Sequence, residues 1–333
     1  MEYRTLGKTG MQVSKLCFGT MSFGREADQE TAAAMFHRCR DIGINFFDTA
    51  NVYSAGQSEE MLGKLIQGSR EELVITSKFS SAMGDDVNAQ GASRRHIVRA
   101  VEASLKRLDT EWIDVYFVHK FDVRTPMETT LRALDDLVHQ GKILHPAVSN
   151  WAAWQIAKAL GISALEGLAP FACIQPMYNL VKRQAEVEIL PLAQSEQMGV
   201  ITYSPLGGGL LTGKYGVDHK PDQGRLVEND MYMKRYGPDV YYRIADDFTA
   251  HARAKGVSPV SLAVAWVMAH PAVTAPIIGA RNLEQLEGSL GALDIDMTSE
   301  WREQISSISI TPPPPTDRLE TQSGARYAGA KAK

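Results

Sequence analysis

The sequence lacks several features that mark common classes of protein. Its 333 residues include only three cysteines, Cys17, Cys39 and Cys173, which lie far apart and form no CxxC pair. We therefore expect neither a disulfide framework nor a metal site, and a reduced, cytoplasmic location. The chain also has no run of about 18 apolar residues, and its N-terminus has no apolar signal core. A soluble protein is expected.

The sequence also lacks a large excess of positive or negative charge. The 35 Lys and Arg residues are nearly balanced by 39 Asp and Glu residues, which leaves a net charge of −4. Such a balance creates no long-range field suited to DNA or to an anionic membrane, so neither is expected as a partner. No predicted strand is followed by the GxGxxG pattern of doubly wound dinucleotide-binding sheets. We expect a small-molecule substrate and leave the oligomeric state open.

Short apolar segments alternate with helix-patterned segments along most of the chain. The apolar segments are almost continuously hydrophobic, which is typical of parallel strands buried on both faces. Eight such units predict an α/β fold that closes as a (β/α)8 TIM barrel, with an open doubly wound sheet as the alternative. The predicted strands and their helices are 16–19 and 29–41, 45–48 and 58–67, 73–77 and 93–108, 113–119 and 127–140, 143–149 and 151–160, 171–175 and 183–197, 200–204 and a helix after a long loop, and 273–278 and 283–290.

Three further segments accompany the predicted barrel. Residues 3–16 read as an N-terminal β-hairpin that caps one end of the core. Residues 207–237 form a connection too long for a plain βα loop, so we expect it to be functional. Extra helices are expected before and after the last units, including residues 239–255. Residues 1–310 are thus predicted to form one barrel domain, and the Pro-rich, then Gly/Ala/Lys-rich residues 311–333 a C-terminal tail without its own core.

Polar side chains stand at the ends of three successive predicted strands. The second strand ends at Asp48, with Tyr53 in the following loop, the third leads to Lys78, and the fourth ends at His119. Barrel enzymes place their chemistry at this end of the strands. The lysine ammonium is expected to lower the pKa of Tyr53, and Asp48 to keep the lysine charged. Each residue alone has a structural explanation, but together they predict a proton-donating site that needs an external hydride.

A glycine-rich stretch follows the seventh predicted strand. Residues 208–214 match the first seven positions of a Walker A loop, but Tyr215 replaces the Ser or Thr that would hold magnesium. A nucleoside triphosphatase is therefore not expected. We therefore interpret this stretch as a loop that binds the phosphates of a dinucleotide.

Several stretches, in the order in which they occur, carry a specific resemblance. They are FFDTANVYSAGQSEEMLG, VITSKF, EASLKRLDTEWIDVYFVH, VSNW, CIQPMYNL, YSPLGGGLLTGKY and PIIGARNLEQLEGSLGAL. In them the chain resembles the aldo-keto reductase superfamily, in the branch of aryl-alcohol-dehydrogenase-like enzymes and potassium-channel β subunits. The resemblance implies a (β/α)8 barrel, an NADP(H) cofactor across its top, and a catalytic tetrad of Asp48, Tyr53, Lys78 and His119, with Tyr53 as the acid in reduction.

The same resemblance implies where the cofactor binds. Tyr203 matches the aromatic residue that stacks on the nicotinamide, and Arg281, beside a helix N-terminus, matches the 2′-phosphate site, which favours NADP(H) over NAD(H). Gly288 and Ser289 replace the usual Glu-Asn pair, so a looser grip on adenine is expected. The full expected set is Gly19, Thr20, Met21, Asp48, Ser149, Asn150, Gln175, Tyr203, Ser204, Pro205, Leu206, Gly207, Lys214, Arg225, Gly279, Arg281, Gln285 and Ser289.

The expected activity is NADPH-dependent reduction of an aldehyde or ketone, aromatic or bulky, to an alcohol. The alternative is a cofactor-sensing regulatory subunit with weak or no turnover, because channel β subunits share the barrel and the tetrad. Pro146, which removes a ladder donor from the fifth strand, is expected to cause a bulge there. Substrate contacts are expected from Phe23, Val52, Tyr53, His119, Phe121 and Trp151.

Overall fold

The computed structural model describes residues 1–316, so most of the predicted tail, residues 317–333, lies outside the described part of the chain. Eight parallel strands form a closed barrel, in which the last strand pairs with the first. This confirms the predicted (β/α)8 fold and excludes the open sheet. The barrel strands are β3 (Cys17–Gly19), β4 (Phe46–Asp48), β5 (Val74–Phe79), β6 (Ile113–Val118), β7 (Ile143–Ser149), β8 (Cys173–Gln175), β9 (Gly199–Thr202) and β10 (Ala275–Ile278).

Helices surround the barrel and connect its strands. In the described residues they are α1 (Gln29–Asp41), α2 (Gln57–Ile66), α3 (Arg94–Leu108), α4 (Met127–His139), α5 (Ala153–Glu166), α6 (Ile189–Glu196), α7 (Arg225–Glu228), α8 (Asp230–Tyr236), α9 (Asp239–Ala254), α10 (Pro259–Met268), α11 (Leu283–Leu290) and α12 (Ser299–Ser306). The helix predicted over 183–197 is broken into a short 3-10 turn and α6. Pro191 explains the break, because its ring is tolerated only in the first turn of a helix.

The N-terminal hairpin closes the end of the barrel opposite the strand C-termini. Its strands are β1 (Tyr3–Thr5) and β2 (Gln12–Ser14), which pair antiparallel as predicted. Leu6 is fully buried in the same apolar cluster as Cys17 and Phe46 of the barrel interior. A Cβ at Gly199 would lie 2.5 Å from Leu6, so β9 needs a glycine where the hairpin enters. Because the hairpin fills this end of the barrel with apolar side chains, polar chemistry is expected at the other end.

The bulge expected at Pro146 was a wrong prediction. The register between β6 and β7 is unbroken, with Tyr116 opposite Pro146 and Phe117 opposite Ala147. The carbonyl of Pro146 accepts from the backbone N–H of Ala172 at 2.9 Å, so its missing donor would face β8. Since the pairing of β7 with β8 begins only at Ala147, proline removes no bond from that ladder.

Candidate active site

A buried ion pair joins the C-terminal ends of β4 and β5. Lys78 Nζ lies 2.6 Å from Asp48 Oδ2 and donates to the Thr49 carbonyl at 2.7 Å. The two side chains are 0 % and 3 % exposed. Burial alone lowers the pKa of Lys78, but Asp48 and Tyr53 together raise it above its ordinary value. The lysine is therefore a charged group held inside the barrel mouth.

The other oxygen of Asp48 is also occupied. Oδ1 accepts from Thr76 Oγ1 at 2.6 Å and from Gln175 Nε2 at 2.8 Å. Thr76 and Lys78 are two residues apart on β5 and therefore face the same side of the strand. Gln175, expected at the nicotinamide, thus reaches Asp48 from β8 across the barrel. Three donors from two strands fix the orientation of this carboxylate.

Tyr53 completes the cluster from the loop after β4. Its hydroxyl lies 3.4 Å from Lys78 Nζ, and its ring centroid lies 6.1 Å from that of His119. The structure thus brings together Asp48, Tyr53, Lys78 and His119. Burial raises the pKa of Tyr53, and Lys78 offsets this effect only in part, so the predicted lowering was wrong. The phenol is consequently protonated at neutral pH, as a proton donor must be.

The turn that carries Tyr53 has an uncommon backbone. Ser54, Ala55 and Gly56 follow one another at φ values of 49°, 53° and 101°, all in the left-handed region. For the two non-glycine residues this costs about 1–2 kcal/mol each. The Ser54 hydroxyl donates to the Phe23 carbonyl at 2.7 Å, which ties the turn to the loop after β3. Neither Ser nor Ala is typical of such a conformation, so it could not be predicted from these residues.

His119 is neutral at physiological pH. Burial, with a smaller contribution from the charges of Lys78 and Lys120, lowers its pKa to about 3. Its Nδ1 is buried and has no hydrogen-bond partner within residues 1–316. A neutral imidazole presents one N–H donor and one acceptor, so His119 can orient a polar group without adding charge.

The ends of β7, β8 and β9 meet beside the tetrad. The Tyr203 hydroxyl donates to Asn150 Oδ1 at 2.7 Å, and Asn150 Nδ2 donates to the His119 carbonyl and to Ser149 Oγ, at 3.0 Å each. Ser149 Oγ in turn donates to the Gln175 carbonyl at 2.9 Å. The residues expected around a nicotinamide ring are therefore linked to one another and to His119.

A glycine-dependent turn follows β9. Residues Gly207–Thr212 form a 3-10 turn in which Gly207, Gly208 and Gly209 all have positive φ. A Cβ at Gly208 would lie 2.8 Å from the Tyr232 ring, so α8 packs closely on the turn. Lys214 is exposed just beyond it. The predicted long connection thus contains this turn together with α7 and α8.

Two arginines from distant parts of the chain converge on one acidic residue. Arg225 begins α7 and Arg281 precedes α11, and their Nη2 atoms lie 3.8 Å and 3.9 Å from Glu26 Oε1. The backbone N–H of Arg281 donates to Gln285 Oε1 at 3.2 Å, and Asn282 caps α11. Glu26, in the loop after β3, was missed because a single acidic loop residue has no pattern of its own. Two guanidiniums around one carboxylate mark a place that suits an anion.

Other expected contact residues serve the fold. Thr20 is fully buried and donates to the Asp48 carbonyl at 3.2 Å, while Ser289 is 1 % exposed, with its hydroxyl turned to the Gln285 carbonyl of its own helix. Phe23 is fully buried and packs against Phe18 at 5.9 Å. Binding roles for these side chains stay predictions. Among the remaining expected positions, Pro205 is buried, Met21, Ser204 and Leu206 are half-buried, and Gly279 is exposed, while a Cβ at Gly19 would lie 2.6 Å from the Ile277 side chain.

Aromatic side chains follow the C-terminal ends of β6 and β7. Trp151, 4 % exposed, packs edge-on against Phe121 at 4.8 Å and Phe171 at 5.5 Å, and Val52 is half-buried next to Tyr53. Within residues 1–316, no three His, Cys, Asp or Glu side chains are grouped to hold a metal ion. In the same part of the chain, each helix is too short or too polar to cross a membrane.

Comparison with known proteins agrees with this geometry. The pattern of the Aldo/keto reductase family matches residues 15–310. A relative named "Probable voltage-gated potassium channel subunit beta", from Oryza sativa subsp. japonica, is 35 % identical over 95 % of this chain and 99 % of its own length. A protein of the same name from Arabidopsis thaliana is 37 % identical, over 89 % of this chain and 92 % of its own. "Uncharacterized oxidoreductase YrpG" from Bacillus subtilis (strain 168) is 36 % identical over 92 % and 96 %.

The matched region covers all eight barrel strands and the tetrad residues at their ends. Each of the three relatives aligns over nearly its whole length, so the similarity extends beyond a shared barrel. Members of this family are oxidoreductases that act on small molecules and generally use nicotinamide cofactors. The chain belongs to the aldo/keto reductase family.

Proposed function

We propose that this protein is an NADP(H)-dependent reductase that converts aldehydes or ketones to alcohols. The observation that carries the proposal is the contact of the Tyr53 hydroxyl, at 3.4 Å, with the buried ammonium of Lys78, which Asp48 holds at 2.6 Å. A protonated phenol beside a fixed cation is a proton donor whose conjugate base is stabilised where it forms.

In the proposed reaction Tyr53 gives its proton to the carbonyl oxygen of the substrate. Lys78 stabilises the phenolate that remains, and Asp48 keeps the ammonium in place. The neutral His119, with its ring 6.1 Å from that of Tyr53, orients the same carbonyl through an N–H. In the reverse direction the phenolate takes the proton back from the alcohol.

The residues expected to hold NADP(H) fit a dinucleotide. Asn150 and Tyr203 are joined at the ends of β7 and β9, beside the tetrad. The glycine turn after β9 and the paired guanidiniums of Arg225 and Arg281 supply a cradle for phosphates. Bound there, the cofactor supplies the hydride. Arg281 beside the N-terminus of α11 favours the 2′-phosphate of NADP(H) over NAD(H).

The proposal extends to the substrate and to the location of the protein. Phe121 and Val52 are half-buried and close in sequence to His119 and Tyr53, and Trp151 packs against Phe121, which favours an aromatic or bulky carbonyl. The three cysteines are all free and buried, which supports a reducing compartment such as the cytoplasm. Residues 1–310 are proposed to act as one catalytic domain.

The test follows the absorbance of reduced nicotinamide with NADPH or NADH and a panel of aldehydes, quinones, sugars and steroid-like ketones. We expect turnover with NADPH and a loss of about 100-fold or more in kcat for Tyr53→Phe, since one general acid is worth about that much. Tyr3→Phe, which removes a hydroxyl at the opposite end of the barrel, is the matched control and should leave kcat unchanged. Wild-type turnover by Tyr53→Phe would refute the proton-donor role.

A second candidate function is that of a cofactor-binding regulatory subunit. It is favoured by the two plant relatives, at 35 % and 37 % identity, whose names describe a potassium channel subunit. The same titration separates the two functions. Tight NADPH binding with no turnover across the whole panel would support the regulatory role, whereas turnover would support the reductase.

A further inference from the structure

A second buried ion pair lies beneath the turn that carries Tyr53. Glu59, in the first turn of α2, is fully buried, and Arg107 of α3 is 19 % exposed at its side chain. Arg107 Nε donates to Glu59 Oε2 at 2.7 Å, and its Nη2 lies 2.7 Å from the same oxygen. The other oxygen of Glu59 accepts from the Ser77 hydroxyl. None of these three side chains belongs to the tetrad.

The pair is connected to Lys78 through β5. Ser77 and Lys78 are consecutive on this strand, so their side chains point to opposite faces. Lys78 faces Asp48 inside the barrel, and Ser77 faces Glu59 on the outside. Glu59 therefore holds β5 against α2 at the residue next to the catalytic lysine.

The pair is connected to Tyr53 through the start of α2. Ser54, Ala55 and Gly56, the three left-handed residues, lie between Tyr53 and that helix. A Cβ at Gly56 would lie 2.8 Å from Arg107 Cδ, so the arginine passes directly under the turn. A conformation that is costly for two non-glycine residues persists only when its surroundings hold it in place.

We propose that Glu59 is a positioning residue that, with Arg107, sets the distance between the Tyr53 hydroxyl and Lys78 Nζ. It anchors α2, and through it the turn of Tyr53, to β5, which carries Lys78. This inference rests on the proposed reductase function. It assigns Glu59 no contact with substrate or cofactor, because its carboxylate is bonded to Ser77 and Arg107.

The main test is Glu59→Gln, which keeps the side-chain shape but turns an amide N–H₂ group toward the donors of Arg107 or Ser77. We expect kcat to fall at least about ten-fold, since a displacement of 1 Å can cost about 100-fold in rate. The dissociation constant of NADPH should stay within about two-fold, because Glu59 and Arg107 bond to Ser77 and Ser104, which are not among its expected contacts. In alcohol oxidation, the rising limb of rate against pH should move to higher pH, as the phenolate loses Lys78.

Two further variants separate positioning from stability. Arg107→Lys keeps the charge but not the paired contacts, and we expect a smaller loss of kcat in a folded protein. Glu166→Gln removes the partner of Arg132 in an exposed pair, 54 % and 40 % exposed, and should change neither kcat nor the pH profile. Folded Glu59→Gln and Arg107→Lys with wild-type kcat and pH profile would overturn the proposal.

A different measurement tests the positioning role if the proposed reductase function itself fails. If the wild-type protein reduces no carbonyl in the panel, the reductase proposal fails, and the positioning role is then judged by crystallography of Glu59→Gln. A lengthened distance between Tyr53 and Lys78, relative to the wild-type crystal, would support the role. An unchanged distance would refute it.

Discussion

Replacing Asp48 by asparagine should destabilise the barrel strongly, although it preserves the shape of the side chain. The carboxylate receives three donors, Lys78 Nζ and Thr76 Oγ1 at 2.6 Å and Gln175 Nε2 at 2.8 Å. An amide replaces one acceptor oxygen by an N–H₂ group, so one of these donors then faces another donor. Lys78, fully buried, also loses its counter-charge.

The size of the effect follows from this burial. Removing one partner of a buried ion pair costs about 3–5 kcal/mol, a large part of the roughly 5–15 kcal/mol by which a folded domain is stable. We expect Asp48→Asn to lower the unfolding free energy by about 3–5 kcal/mol in urea titrations followed by circular dichroism. The double variant Asp48→Asn/Lys78→Met removes the unpaired charge and should recover much of the loss, without recovering turnover.

The exposed pair Arg132–Glu166 provides the control, since such pairs contribute about 0–1 kcal/mol. A loss below about 1 kcal/mol for Asp48→Asn would contradict the reasoning. So would a double variant whose loss equals the sum of the single losses, because the two charges would then be uncoupled.

Three further predictions concern the anion site and pH. Arg281→Ala should weaken NADPH binding much more than NADH binding in fluorescence titrations, and equal losses would contradict the 2′-phosphate assignment. Glu26→Gln should tighten NADPH binding, because it frees Arg225 and Arg281 from a competing carboxylate. Weaker binding would contradict this and would show that Glu26 helps to hold the two arginines in place. His119 and His270 have pKa values lowered to about 3 and about 4. Their contribution to stability is fully present above about pH 6.5 and is lost as pH falls toward about 3 for His119 and about 4 for His270. For His119 the loss at pH 5 is roughly 2 kcal/mol. His119→Asn should flatten that dependence in urea titrations, and an unchanged slope would show that the imidazole is not buried as described.

The strand-end residues were predictable because barrel topology makes them converge. Asp48, Lys78 and His119 lie within one residue of the ends of successive parallel strands, so a correct count of strand–helix units was enough to bring them together. Tyr53 was added by its short distance from Asp48 along the chain. The direction in which its pKa shifts was not predictable, because the effect of burial in the folded protein outweighs that of the Lys78 charge.

Features that depend on contacts between distant segments escaped prediction. Glu26 meets Arg225 and Arg281 across about 200 and about 250 residues of chain, and a single acidic loop residue has no local pattern that predicts this contact. Pro146 is tolerated because it lies before Ala147, where the pairing of β7 with β8 begins, so the N–H that proline lacks is not needed there. Glu59 looks like an ordinary residue in the first turn of a helix, and only packing against α3 buries it.

In the proposed reaction a hydride passes directly to the carbonyl carbon while Tyr53 protonates the oxygen. The decisive experiment incubates the protein with an aromatic aldehyde and NADPH that carries deuterium at both positions of the nicotinamide C4. We predict one deuterium on the alcohol carbon for each cofactor oxidised, detected by mass spectrometry of the product. Oxidation of the cofactor that yields unlabelled alcohol, or no alcohol, would rule out direct hydride transfer.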